Sequence, residues 1–338
     1  MNNLINCENV TVLGAGSWGT ALAIHLARLN YHVTLWAKSI EHIQASRINE
    51  KYIPNIKLPD NITLTDNLES SLNNANVVFY MLPSTALYEI LHKIKTIYPE
   101  NVPFVWGSKG VIKSDEGFCF LDDAVGDILG ANTKKALISG PTFADEVAAG
   151  LPTAIVVASQ DKVLATQLQL LLHSDSFRVY TSQDTKGIQI CGVMKNILAI
   201  ASGVSDGLGL GVNTRTALIT RGLVEMSRVA NKLGCTPETL MGLTGMGDLV
   251  LTCTSDKSRN RRLGLALGKG LTLTEAVQSI GQVMEGYYNA NTILNFAKNR
   301  GIELPITEQV CLLLEEEVAP KAAMQNLLNR APRAEFTL

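Results

Sequence analysis

The chain has 338 residues, 46% hydrophobic and 18% charged, which is enough for two domains with sizeable cores and the wrong composition for a disordered or collagen-like chain. A formal net charge of -2 at pH 7 excludes nucleic-acid binding through a strong overall basic field. The cysteines at 7, 119, 191, 235, 253 and 311 form no C-x-x-C pair and the N-terminus carries no charged-then-apolar export segment, so reduced thiols, a cytoplasmic setting and no metal centre are expected.

In chain order, Val10 to Leu13 is a short β-type run that breaks on glycines, gives way to helical periodicity over Ala21 to Leu29, and is followed by a second strand, Tyr31 to Trp36. Gly14, Gly16 and Gly19 fall in G-x-G-x-x-G spacing: the first for a tight turn, the second for close backbone approach to a pyrophosphate, the third for close packing of helix on strand. This context predicts a dinucleotide-binding βαβ unit with phosphate on the free amides of the helix N-terminus. A preference for NAD would place an Asp or Glu about twenty residues past the loop. Trp36, Ala37 and Lys38 stand there instead. Lys38 is read as meeting the 2′-phosphate of NADP, against the alternative of a solvated loop lysine.

The stretch 53–72 reads as loop-rich crossover with one short strand near Ile62 to Leu64. Asn76 to Leu82 is a fully apolar strand ended by Pro83, as expected in the middle of a parallel sheet. After a helix around Ala86 to Tyr98, the strand Pro103 to Trp106 ends in Gly107-Ser108-Lys109-Gly110. Ligands of open α/β sheets bind at the carboxyl ends of strands, so Lys109 faces a ligand or is a solvated turn residue. A second small-residue loop, Ser139 to Ala144, follows the strand Ala136 to Ile138. Strands Thr153 to Ala158 and Phe177 to Tyr180 flank a helix around Val163 to Leu172, and the first domain closes near residue 186. The predicted fold is an α/β domain of Rossmann type, residues 1–186, with a mostly parallel doubly wound sheet. A predominantly α-helical domain, 187–338, follows.

Gly187 to Ser205 is nearly long enough to span a membrane, but Gln189, Lys195 and Asn196 near its middle favour a buried helix, and no membrane insertion is expected. Lys195 has apolar residues on all sides of the helix; burial would lower its pKa and suit it to general acid-base work. All histidines (25, 32, 42, 92 and 173) lie in the first domain, which leaves Lys195 as the leading proton carrier of the second. Past a glycine-rich hinge at 206–211, a helix begins near Asn213 and stops at Gly234. Asp248, on the glycine-flanked turn 242–248, caps the following helix or orients a polar ligand. Lys257-Ser258-Arg259-Asn260-Arg261-Arg262 is a solvated helix face or a grip for a substrate phosphate.

GAGSWGTALA at 14–23, WGSKG at 106–110, SGPTFADEVAAGLPTA at 139–154, MKNILAIASG at 194–203, NTRTALITRGL at 213–223, TGMGDLVLTCTSDKSRNRRLG at 244–264 and VMEG at 283–286 together resemble the bacterial NAD(P)-dependent glycerol-3-phosphate dehydrogenases, in register over nearly the whole chain. The resemblance implies reversible reduction of dihydroxyacetone phosphate to sn-glycerol 3-phosphate for phospholipid synthesis, with NADPH/NADP or NADH/NAD. It places the cofactor against Ser17, Trp18, Lys38, Lys109, Ala144, Arg259, Val283 and Glu285. The substrate meets Lys109, Gly140, Thr142, Asp248, Ser258, Arg259 and Asn260, with Lys195 as proton acceptor and Lys109 beside it. Thr142 stands where many members have serine, and Lys38 where arginine is common. The implied partner is a small phosphorylated molecule, with a homodimer left open. A ketopantoate-type reductase and a non-catalytic dinucleotide sensor are the rival readings.

Overall fold

The computed structural model describes residues 7–114, 117–332 and 334–335. In the first part the elements are β1 (Asn9–Leu13), α1 (Ser17–Arg28), β2 (His32–Trp36), α2 (Glu41–Gln44), β3 (Ile48–Asn49), β4 (Ile53–Lys57), β5 (Ile62–Thr65), α3 (Leu68–Ser71), β6 (Val77–Tyr80) and α4 (Leu87–Ile94). There follow β7 (Phe104–Trp106), the hairpin β8 (Ile112–Ser114) and β9 (Gly117–Cys119), α5 (Leu121–Leu129), β10 (Lys135–Ser139), α6 (Ala144–Ala149), β11 (Thr153–Ala158), α7 (Lys162–Leu172) and β12 (Phe177–Ser182).

Eight strands form one sheet in the order β12-β11-β10-β7-β6-β1-β2-β5, parallel except where β10 meets β11. From β1 the chain first moves outward through β2 to β5, then returns to place β6 on the other side of β1. That reversal opens a crevice at the carboxyl ends of β1 and β6, where a doubly wound sheet receives its ligand. Strand β6 is buried on both faces, as its unbroken apolar run predicts: Val77 and Phe79 join the layer that holds α1 and α7, while Val78 and Tyr80 join the layer that holds α4 and α5.

Two expectations need correction. The stretch 53–72 carries β4 and α3 as well as the expected strand; among the described residues β4 pairs only with the two-residue β3, and its exposed Pro54, Asn55 and Lys57 hide the buried Ile53 from a periodicity reading. The hinge at 206–211 is shorter than expected, because Asp206 and Gly207 still belong to the preceding helix and Gly211 already opens the next.

The second part is helical: α8 (Thr185–Gly207), α9 (Gly211–Lys232), α10 (Pro237–Met241), a wide π-helical turn (Leu243–Gly247), α11 (Asp248–Thr254), α12 (Arg259–Gly268), α13 (Leu273–Ile280), α14 (Glu285–Lys298), α15 (Pro305–Leu314) and α16 (Pro320–Leu328). Helix α8 is long and apolar enough to cross a membrane, yet its apolar window is wholly buried inside the fold. It is the axle of this part, and α12 crosses it closely. A Cβ on Gly203 would lie 2.0 Å from the Arg261 carbonyl oxygen, and one on Gly264 would lie 1.9 Å from that of Ile200, so glycine on both helices permits the approach. The crossing brings Asn260 to Asn196, with Nδ2 to Oδ1 at 3.0 Å.

Candidate active site

The glycine turn has the form its spacing predicts. Gly14 has φ 114°, in the left-handed region open to glycine, and a Cβ on Gly19 would sit 1.8 Å from the Gly14 carbonyl oxygen. Gly16 precedes α1 with no side-chain cap, so Ser17 and Trp18 open the helix with amides available to an anion. Trp18 Nε1 donates to Thr142 Oγ1 at 3.0 Å, joining this turn to the 139–144 loop, in which Gly140 has φ 151° and Ala144 opens α6. Lys38 lies outside this group on the surface, pairing with Glu89 at 3.4 Å. Glu285, the first residue of α14, reaches from the helical part to the end of β6: its carboxylate accepts from Ser84 N at 2.9 Å and Ser84 Oγ at 2.6 Å. Val283, two residues earlier, is exposed.

The chemical centre is a buried carboxylate between two ammoniums. Lys109 comes from the loop after β7, Lys195 from the middle of α8 and Asp248 from the start of α11. Lys109 Nζ donates to Asp248 Oδ2 at 2.5 Å and to the Gly140 carbonyl at 3.3 Å, while Lys195 Nζ donates to Asp248 Oδ1 at 2.7 Å and to Thr252 Oγ1 at 2.9 Å. The Lys195 side chain is 8% exposed and that of Asp248 is 1% exposed, against 21% for Lys109, so Lys195 is the more desolvated of the two cations. Burial lowers its pKa to about 8; the nearby Lys109 charge pushes the same way, and Asp248 opposes both. Burial alone would raise the Asp248 pKa, but the two ammoniums outweigh it and hold the carboxyl below its ordinary range.

Asp248 therefore does not sit as expected. The glycine-flanked turn before it is π-helical, and of the two expected roles the cap is not taken: its side chain does not cap α11. Both carboxylate oxygens are taken up by the lysines, which is the outcome a buried charge requires.

The cationic run also divides. Lys257 pairs with Asp145 and Glu146 at 2.8 and 2.7 Å, and Arg261 is buried against Asp206 and Asp256. Ser258 caps α12 by accepting from Arg261 N at 3.2 Å and keeps its hydroxyl hydrogen. Asn260 accepts from Gly286 N at 3.1 Å besides bonding Asn196, which leaves one amide hydrogen. Arg259 is exposed and, unlike the exposed Lys257, has no carboxylate partner among the described residues; its one hydrogen bond there is a 3.4 Å contact to Gln282 Oε1, whereas Arg261 is buried and paired.

Sequence reasoning missed Thr252 and Ser84. Thr252 lies four residues after Asp248, on one helix face with it, so the signal existed once that segment was read as helix. Ser84 had none, because its partner Glu285 is 201 residues away.

Two family descriptions match the chain: "NAD-dependent glycerol-3-phosphate dehydrogenase N-terminus" over residues 9–165 and "NAD-dependent glycerol-3-phosphate dehydrogenase C-terminus" over residues 184–325. A glycerol-3-phosphate dehydrogenase [NAD(P)+] of Coxiella burnetii (strain RSA 331 / Henzerling II) is 46% identical over 329 residues, covering 96% of this chain and 98% of that one. The crystal structure of a glycerol-3-phosphate dehydrogenase from Coxiella burnetii superposes with a TM-score of 0.92 at 44% identity, covering 96% of this chain and 99% of that chain. A ketopantoate reductase from Ralstonia eutropha shares the fold alone, with a TM-score of 0.61 at 15% identity over 94% of this chain and 99% of that one.

Proposed function

Because the chain belongs to the NAD-dependent glycerol-3-phosphate dehydrogenase family, we propose that it interconverts dihydroxyacetone phosphate and sn-glycerol 3-phosphate with NAD or NADP, as a cytoplasmic enzyme supplying glycerol 3-phosphate to phospholipid synthesis. The observation that carries the reading is the buried Lys109–Asp248–Lys195 bridge at the mouth of the dinucleotide crevice.

The residues present fit a dinucleotide. Gly14 and Gly19 form a turn that a Cβ would fill, and Gly16 stands open. When bound, the nicotinamide supplies or accepts the hydride at substrate C2. Lys195 holds the proton of the C2 oxygen, giving it up in reduction and taking it in oxidation; a pKa of about 8 lets it do both near neutral pH. Lys109 polarises the same oxygen and keeps a like charge beside Lys195, while Asp248 orients both lysines. Together these three side chains carry one net positive charge in a buried site, which suits an anionic substrate. Arg259 grips the phosphate, aided by the Ser258 hydroxyl and the remaining Asn260 amide hydrogen. Gly140 and Thr142 line the opposite wall, Trp18 and Ala144 flank the cofactor with Val283 and Glu285, and Lys38 would exchange Glu89 for the 2′-phosphate of NADP.

Lys195→Ala tests the proton role. It should bind NADPH nearly as the wild type does and lose about 10² to 10⁴ in turnover. Near-normal turnover would remove Lys195 from the mechanism.

A further inference from the structure

Asn49, in the two-residue strand β3, is fully buried and serves the glycine turn from outside it. Its Nδ2 donates to the Ala15 carbonyl oxygen at 2.8 Å and to Thr20 Oγ1 at 2.8 Å, so one amide ties the β3–β4 hairpin both to the turn and to the start of α1. Its Oδ1 has no hydrogen-bond partner among the described residues. Buried polar groups are ordinarily paired, so a buried amide that uses its donors on one turn and leaves its acceptor empty is held there for the donors.

We propose that Asn49 is a positioning residue that aims the Gly16 N–H at the pyrophosphate of the cofactor. A trans peptide is planar, with its C=O and N–H pointing in opposite directions. Fixing the Ala15 carbonyl inward on Asn49 therefore turns the N–H of the same peptide, that of Gly16, outward and away from the hairpin. Among the described residues no backbone carbonyl accepts from that N–H. A Cβ on Gly16 would meet nothing within 4 Å, so a ligand has room beside it. The amide orientation is fixed by its neighbours: flipped, it would set Oδ1 against the Ala15 oxygen, two acceptors without a proton between them. Aspartate, which can only accept when ionised, could not do the same work.

The proposal rests on the dinucleotide reading above, and ADP-ribose against adenosine separates the two, since only the first carries a pyrophosphate. In wild-type protein labelled with ¹⁵N-glycine, ADP-ribose should move the Gly16 amide resonance and adenosine should leave it in place. Asn49→Leu, close in volume and unable to donate, should weaken ADP-ribose binding about 10- to 100-fold, the worth of a hydrogen bond to a charged group. Adenosine binding should change by less than about twofold and kcat at saturating NADPH by less than about threefold, and Asn49→Asp should follow the same pattern. Thr20→Val keeps the bond to Ala15 and should hold ADP-ribose affinity within about threefold. ADP-ribose affinity that survives Asn49→Leu, or a loss shared equally by adenosine, overturns the positioning role. Should neither Asn49 variant fold, a wild-type Gly16 resonance indifferent to ADP-ribose overturns it as well. Wild-type protein that binds no ADP-ribose at all would instead bring down the dinucleotide reading, and this proposal with it.

Discussion

In the proposed mechanism Lys195 carries the proton, and its charge state can be read from outside as a pH profile. Its pKa is lowered to about 8, so the ammonium that reduction needs is present below about pH 8 and is lost above it. The kcat/KM for dihydroxyacetone phosphate should therefore fall as pH rises through about 8, while that for glycerol 3-phosphate oxidation rises over the same interval. Asp248→Asn removes the one neighbour that raises the Lys195 pKa and leaves burial and Lys109 unopposed. Its reduction limb should move to lower pH; an unmoved limb would show that another group is titrating. Arg259 separates a phosphate grip from a solvated helix residue. If it holds the substrate phosphate, Arg259→Ala should cost roughly 2 to 5 kcal/mol of transition-state binding with dihydroxyacetone phosphate. Dihydroxyacetone, which has no phosphate, should be affected far less. Equal losses on both substrates would assign the arginine to the cofactor or to domain closure instead.

Among the elements, the contact of α8 with α12 sets two effects against each other. Gly203→Ala would raise intrinsic helix propensity by about 1 kcal/mol. The new Cβ would lie 2.0 Å from the Arg261 carbonyl, so the helices must part, and overpacking of this kind costs about 1–3 kcal/mol or more. Net destabilisation in urea unfolding is expected, whereas a gain in stability would contradict a close crossing of α8 and α12. The elements also show what was legible in the sequence. The β1-turn-α1 unit could be read because glycine spacing and apolar periodicity are local signals, and α8 because its apolar run is unbroken apart from a few polar residues. Strand β4 could not, since a short edge strand with an exposed proline has little periodicity to read. Lys109, Lys195 and Asp248 could each be singled out from the sequence as candidates, but the wiring of the candidate site could not: nothing local to Asp248 shows that both of its oxygens are taken by lysines 53 and 139 positions away. The cationic run looked like one cluster, although the structure sends Lys257 and Arg261 to separate carboxylates and leaves Arg259 exposed.

At the scale of the whole molecule, neither part holds the site alone. The α/β part supplies the glycine turn and Lys109; the helical part supplies Lys195, Asp248 and the Arg259 region; and the Lys109–Asp248 and Ser84–Glu285 contacts join them across the crevice. In the proposed function the substrate reaches both parts and presents its reacting oxygen to the lysines. The fold is shared with a ketopantoate reductase, so fold alone does not choose the substrate, and the side chains must. In the proposed function the net positive charge around Asp248 and the exposed Arg259 are the features that favour a phosphorylated ketone. The direct measurement follows the absorbance of NADPH or NADH on addition of dihydroxyacetone phosphate and, separately, of ketopantoate. Oxidation of the cofactor with dihydroxyacetone phosphate and none above background with ketopantoate is the predicted result; turnover of ketopantoate alone would contradict the assignment.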